Sequence, residues 1–106
     1  MHVTFRQLQI FRAVANNLSF TGAAEELFLS QPAVSIQIKQ LENSVGIPLY
    51  EQLGKRIHLT EAGKLMYQFS TEIHRQFNET KKGLDDLKGI EGGLLQVSVA
   101  TTVNYY

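Results

Sequence analysis

The chain has 106 residues, 43% hydrophobic and 19% charged, a balance that fits one small folded domain with an extension and excludes wholesale disorder. It has no cysteine, which excludes disulfides, thiolate zinc sites and cysteine nucleophiles, and it has no apolar run of the roughly eighteen residues needed to span a bilayer. Ten Lys and Arg balance ten Asp and Glu, so any attraction to phosphate must come from local charge.

The N-terminus, MHVTFRQLQ, lacks the basic-then-apolar layout of a signal peptide, and a cytoplasmic location is expected. From Phe5 to Ala15 the apolar residues Leu8, Phe11, Val14 and Ala15 recur at helical spacing, with Thr4 as the cap and Asn16-Asn17 expected to break the helix. Ser19 caps a second helix whose Phe20, Ala23, Ala24 and Leu27 share one face, and the two alanines allow another helix close. Leu27-Phe28-Leu29 leads through a short turn to Ser30. Two short helices joined this tightly form a helix-turn-helix pattern, which many helical bundles share.

The stretch from Ser30 to Gly46, SQPAVSIQIKQLENSVG, has both ends marked: Ser30 caps, Pro32 is tolerated in the first turn, and Gly46 stops the helix. Val34, Ile38, Leu41 and Val45 make its buried stripe. The opposite side carries Pro32, Ser35, Ile36, Lys39 and Asn43. That side is small, uncharged and hydrogen-bonding near the N-terminus, with a cation further along, a surface suited to a DNA major groove. The alternative is a solvated face with one stray apolar residue.

After Gly46, two β-prone runs, residues 47–52 and 57–59, flank Leu53-Gly54-Lys55-Arg56 and predict a hairpin with a basic tip. Beside a helix-turn-helix this is the layout of a wing at 53–56, whose cations reach phosphates or a minor groove; the alternative is two solvated charges in a turn. Residues 1–60 hold five cations (Arg6, Arg12, Lys39, Lys55, Arg56) against four acids (Glu25, Glu26, Glu42, Glu51). A footprint this modest predicts a dimer that sums two copies.

Thr60 caps a long helix, with Glu61 placed well for the helix dipole and Gly63 open for close packing in the first turn. Met66, Phe69, Ile73, Phe77, Thr80, Leu84 and Leu87 follow at the spacing of a coiled-coil seam. About 28 residues give roughly 42 Å of helix at 1.5 Å per residue, too long to bury its stripe on the small domain, so two copies are expected to pair along it. The alternative is a helix folded back on its own domain. Gly89 to Gly93 has the composition of a linker, and residues 94–100 alternate as a strand without a partner, so the chain is read as the front of a longer protein. The expected division is a DNA-binding domain at 1–59, a dimerisation helix at 60–88, and a hinge with a first strand at 89–106. His2, His58 and His74 lack metal-ligand spacing, and no Gly-rich phosphate loop follows a strand, so an enzyme is not expected.

The motifs SFTxAAExL, SQPAVSxQIxxLE and LTEAG stand in order over residues 5–67, and this run resembles the N-terminal DNA-binding domain of LysR-type transcriptional regulators. The resemblance implies a mainly α fold: a winged helix-turn-helix with a small β-hairpin wing and a long C-terminal dimerisation helix. It further implies an effector domain, whose start GGLLQVSVATT resembles, and which binds a small molecule; no cofactor is expected within these residues. The implied partners are double-stranded DNA with a pseudo-palindromic operator, a second copy of the chain, a tetramer for the complete protein, and RNA polymerase. A membrane is not among them.

Carried over by position, the resemblance assigns Gln31, Pro32, Ser35 and Ile36 to the major groove. Thr21, Ser30 and Lys39 are assigned to phosphates, and Lys55 and Arg56 to the wing. The dimerisation residues, Met66, Phe69, Ile73, Phe77, Leu84 and Leu87, come instead from the seam spacing of the long helix. The chain departs from the family where Ile36 replaces a common Arg, which removes a bidentate guanine contact; Ile36 either packs on a thymine methyl or shields the groove. Gln52 likewise replaces a common wing Arg, and Gly22 stands where some members are basic. The apolar residue after AVS, with QIKQLE and LYEQLGKRIHLTEAG, looks closest to regulators of carbon-fixation operons. The rival reading is a protein-interaction module built on the long helix, which neutral charge and an apolar seam would suit.

Overall fold

The computed structural model describes residues 1–94, with side chains described through Gly89. Its elements in order are α1 (Phe5–Asn17), α2 (Phe20–Leu27), α3 (Gln31–Val45), β1 (Tyr50–Leu53), β2 (Arg56–Leu59) and α4 (Glu61–Leu94). The chain divides into two compact units, the first comprising residues 1–73 and the second beginning at His74.

Local chemistry sets each boundary in the first unit. Thr4 and Gln7 form a reciprocal capping box at the start of α1, each side chain bonded to the other's backbone N–H at 3.0–3.1 Å. Asn16 and Asn17 do not break α1, contrary to expectation. The reversal falls one residue later, at Leu18 (φ 49°), because both asparagines are held in the last turn by side-chain bonds. Asn17 Nδ2 donates to the Ala13 carbonyl at 2.8 Å, and Asn16 Oδ1 accepts from the Tyr67 hydroxyl.

Ser19 caps α2 by accepting from the Gly22 N–H, and α2 ends in a Schellman pair, Leu29 N–H to Ala24 and Phe28 N–H to Glu25. Phe28 therefore occupies the left-handed region (φ 56°) with its side chain 95% exposed. Ser30 caps α3 at Ala33 N, and Gly46 (φ 91°) closes it. In α3, Val34, Ile38 and Leu41 are buried and Val45 half-buried, as the stripe predicts. They join Leu8, Ile10, Phe11, Ala13 and Val14 of α1, Ala23 and Ala24 of α2, and Leu49 in one core.

The strands pair antiparallel with Leu53 opposite Arg56, which leaves a two-residue loop, Gly54-Lys55. Positive φ falls on Gly54 (66°) and not on Lys55, the pattern of a type II′ hairpin turn. Two contacts root this hairpin on the helices. The Leu49 N–H donates to Glu42 Oε2 of α3 at 2.8 Å, and the Phe20 and Tyr50 rings meet edge to face with centroids 5.2 Å apart. Thr60 caps α4 through the Gly63 N–H and donates its own hydroxyl to the Pro48 carbonyl.

Two expectations for α4 need correction. The helix continues through Gly89–Gly93, where glycine composition predicts a linker, because each residue added to an existing helix gains a hydrogen bond without a new nucleus. The strand expected from residue 94 onward lies outside the described residues beyond Leu94. The second concerns Met66, which is 8% exposed and packs in the core of its own domain, so little of its side chain is left for a second copy. Ile73 is half-buried and packs on the same core. Periodicity marks an apolar stripe but not what covers it: Met66 and Ile73 are covered from within the first unit, while Phe69 between them is exposed.

Candidate nucleic-acid interface

The residues assigned to the major groove all lie at the start of α3, a helix fixed by its core stripe and its cap. Gln31, Pro32 and Ile36 are exposed, Ile36 by 56%, and Ser35 is half-buried. Gln31 Nε2 approaches Ser35 Oγ at 3.4 Å, one helical turn on, so the two polar side chains are held together on the outer face. Ser30 Oγ accepts from the Ala33 N–H at 3.2 Å, and its own hydroxyl hydrogen is left to donate outward.

Alongside this face, a crease of about 210 Å³ is lined by Ser19, Phe20, Thr21, Gln31, Gln52 and Lys55, among others. It brings together three of the expected contact residues from three elements: Thr21 of α2, Gln31 of α3 and Lys55 of the hairpin turn. Gln52 was not among the expected contacts. Its register partner Ile57 also lines the crease, and cross-strand partners share a face, so strand alternation from Ile57 identifies it.

The same alternation separates the two wing cations. Arg56 follows Lys55 but pairs with Leu53 on the other hairpin face, and both are exposed there. Lys39 is not in the crease. It lines a wider depression of about 480 Å³ at the opposite end of α3 with Glu42, Asn43 and Tyr50. Burial, and secondarily the Glu42 carboxylate, holds the Tyr50 hydroxyl above its ordinary pKa of 10.0. Lys39, Lys55 and Arg56 are exposed, and no ion pair is seen for them among the described residues, whereas α4 carries pairs such as Lys64–Glu61, Arg75–Glu79 and Lys81–Asp85.

On α4, Phe69 in the first unit is exposed. In the second unit Phe77, Leu84 and Leu87 are exposed too, Leu84 by 54% and Leu87 by 57%. Among the described residues no His, Cys, Asp and Glu cluster could hold a metal, and no helix is long and apolar enough to cross a membrane.

A tight helix pair with a polar outer face on its second member, flanked by a two-stranded hairpin with a basic turn, defines a winged helix-turn-helix. Residues 5–64 match the family described as bacterial regulatory helix-turn-helix protein, lysR family, and the chain belongs to it. It is 51% identical over its whole length to a RuBisCO operon transcriptional regulator of Allochromatium vinosum, covering 35% of that protein. It is 46% identical over 95% of its length to the HTH-type transcriptional regulator CbbR of Rhodospirillum rubrum, covering 34%.

The chain thus spans about a third of the length of these relatives. Among solved structures it is similar to the BenM_DBD/catB site 1 DNA complex, with TM-score 0.78 and 30% identity over 81% of this chain and 97% of that one. The CbnR_DBD–DNA complex matches with TM-score 0.74 and 30% identity, covering 81% and 99%.

Proposed function

We propose that this chain is the DNA-gripping part of a cytoplasmic LysR-type transcriptional regulator of a carbon-fixation operon. Two copies bind a pseudo-palindromic operator, each placing the start of α3 in the major groove and the Lys55 turn on the backbone. The observation that carries this reading is the outer face of α3: Gln31, Pro32, Ser35 and Ile36 face outward beside a crease that also holds Thr21, Gln52 and Lys55. Direct readout needs hydrogen-bonding and apolar groups on a rigid helix, and phosphate contacts need cations at its flank. Names and DNA complexes among the relatives support the same reading.

Pairing of two copies is supported by the exposed Phe77, Leu84 and Leu87. An apolar hollow of about 290 Å³ on the first unit, lined by Met1, Val45, Ile47, Leu65 and Phe69 among others, adds uncovered apolar surface. In this reading the complete regulator responds to a small-molecule effector, assembles up to a tetramer and contacts RNA polymerase.

Selection of duplexes from a random pool at fixed salt tests the proposal. A two-fold related site is expected, and Gln31→Ala or Ser35→Ala should relax base preference by about 1–3 kcal/mol at one position per half-site. Recovery of no preferred sequence, or variants with unchanged preference, would overturn the assignment.

A further inference from the structure

Resting on the DNA reading above, we propose that Ile36 makes this protein a reader of the pyrimidine C5-methyl group. Each half-site then presents one thymine whose methyl packs on Ile36, and a 5-methylcytosine at that position is favoured over cytosine.

Ile36 stands at the centre of an outward face, one turn after the exposed Pro32 and one before the exposed Lys39 and Gln40. Its own domain does not need it, since Val34, Ile38 and Leu41 fill the α3 side of the core and Ile36 takes no part in that cluster. In a helix a β-branched side chain holds essentially one χ1 rotamer, so the Cγ2 methyl of Ile36 is presented at a fixed place and cannot swing aside to suit other bases. In the major groove, adenine, guanine and cytosine edges offer hydrogen-bonding groups, and thymine alone among the four bases adds an apolar one. An isoleucine over a purine or cytosine edge desolvates polar atoms without pairing them, whereas over a thymine methyl it buries apolar surface on both sides. The preference is therefore built from both an attraction and a penalty. A residue that merely shielded the groove would treat every base alike.

The neighbouring polar pair sharpens the prediction. Gln31 and Ser35 occupy the preceding turn and keep their hydrogen-bonding atoms together, so methyl readout and hydrogen-bond readout fall to different side chains and are separable by mutation.

The test uses the 106-residue chain and the duplex recovered by selection at fixed salt. Each thymine is replaced in turn by deoxyuridine, which deletes the C5-methyl and leaves every hydrogen-bonding group. One thymine per half-site should show an affinity loss of about three- to fivefold, the factor that burial of a single methyl corresponds to. Ile36→Val should keep that loss, and Ile36→Ala should abolish it while retaining helical content. With cytosine placed there, methylation at C5 should recover a similar factor. If every uracil substitution is silent, or if Ile36→Ala retains the penalty, this proposal fails while selective DNA binding still stands. A protein that selects no duplex at all would remove the DNA reading and this one with it.

Discussion

Gly63 lies so close to the backbone of Leu49 that a Cβ at position 63 would sit 1.9 Å from the Leu49 carbonyl oxygen. The first turn of α4 is thereby seated on the root of the wing. The Leu49 carbonyl also accepts from the Thr60 N–H at 3.2 Å, so the same oxygen anchors the chain on both sides of the hairpin.

Gly63→Ala should destabilise the domain by about 3 kcal/mol, because the obstructing atom is backbone and cannot move aside. Gly83→Ala is the contrast: nothing stands within 4 Å of its Cβ, and a helix-interior alanine should stabilise by roughly 0.5–1 kcal/mol. Urea unfolding midpoints of both variants measure the difference.

Glu42 joins α3 to the wing by accepting the Leu49 N–H. Glu42→Ala leaves that N–H without its acceptor and should cost about 1–3 kcal/mol, while Glu42→Gln, which keeps an acceptor oxygen, should cost less. The loosened wing should weaken binding to every duplex in proportion, readable as one common loss across sequences.

Tyr50 provides a pH dependence. Its folded pKa is raised above 10.0, first by burial and then by Glu42, so the native state holds the phenolic proton where the unfolded chain releases it. This contribution to stability is complete below pH 10 and is lost as pH rises through the folded pKa. Stability measured across the alkaline range should show that decline, and Tyr50→Phe should lose it. Glu42→Gln should bring the ultraviolet titration of Tyr50 part of the way back, since burial is the larger cause.

The two wing cations should not behave alike. Lys55 faces the crease with Gln31 and Thr21, and Arg56 faces the other side of the hairpin. Lys55→Ala should weaken all duplexes similarly and lower the slope of log K against log salt by about one, with a smaller change for Arg56→Ala. Equal changes in a salt titration would refute the separation.

Leu84→Glu with Leu87→Glu should shift the chain from dimer to monomer in sedimentation equilibrium without lowering the unfolding midpoint of the first unit. Both residues are exposed and lie outside that unit.

Much of this was legible in one dimension. Ser19, Ser30 and Thr60 mark helix starts through their own side-chain bonds, and Gly46 marks an end through its φ; these are short-range constraints that a local sequence must satisfy. The core stripe of α3 follows from helical period alone, and the hairpin follows from Gly54 between β-prone runs. The asparagine break failed because competing local signals, an Asn pair and a following Leu, were resolved by bonds to Ala13 and to the distant Tyr67.

The sequence by itself therefore determined the element types, their caps and which face of α3 looks outward, because each depends on atoms within a few residues. Tertiary structure decided which stripe residues are spent internally: Met66 and Ile73 repeat like Leu84 and Leu87, yet the first pair packs on the domain core and the second is exposed. It also decided that Gln52 and Lys55 share a crease with Gln31 while Arg56 and Lys39 do not, since pairing register and the seat of Gly63 on Leu49 depend on residues far apart in the chain. Periodicity records that a surface is apolar; only the fold says what covers it.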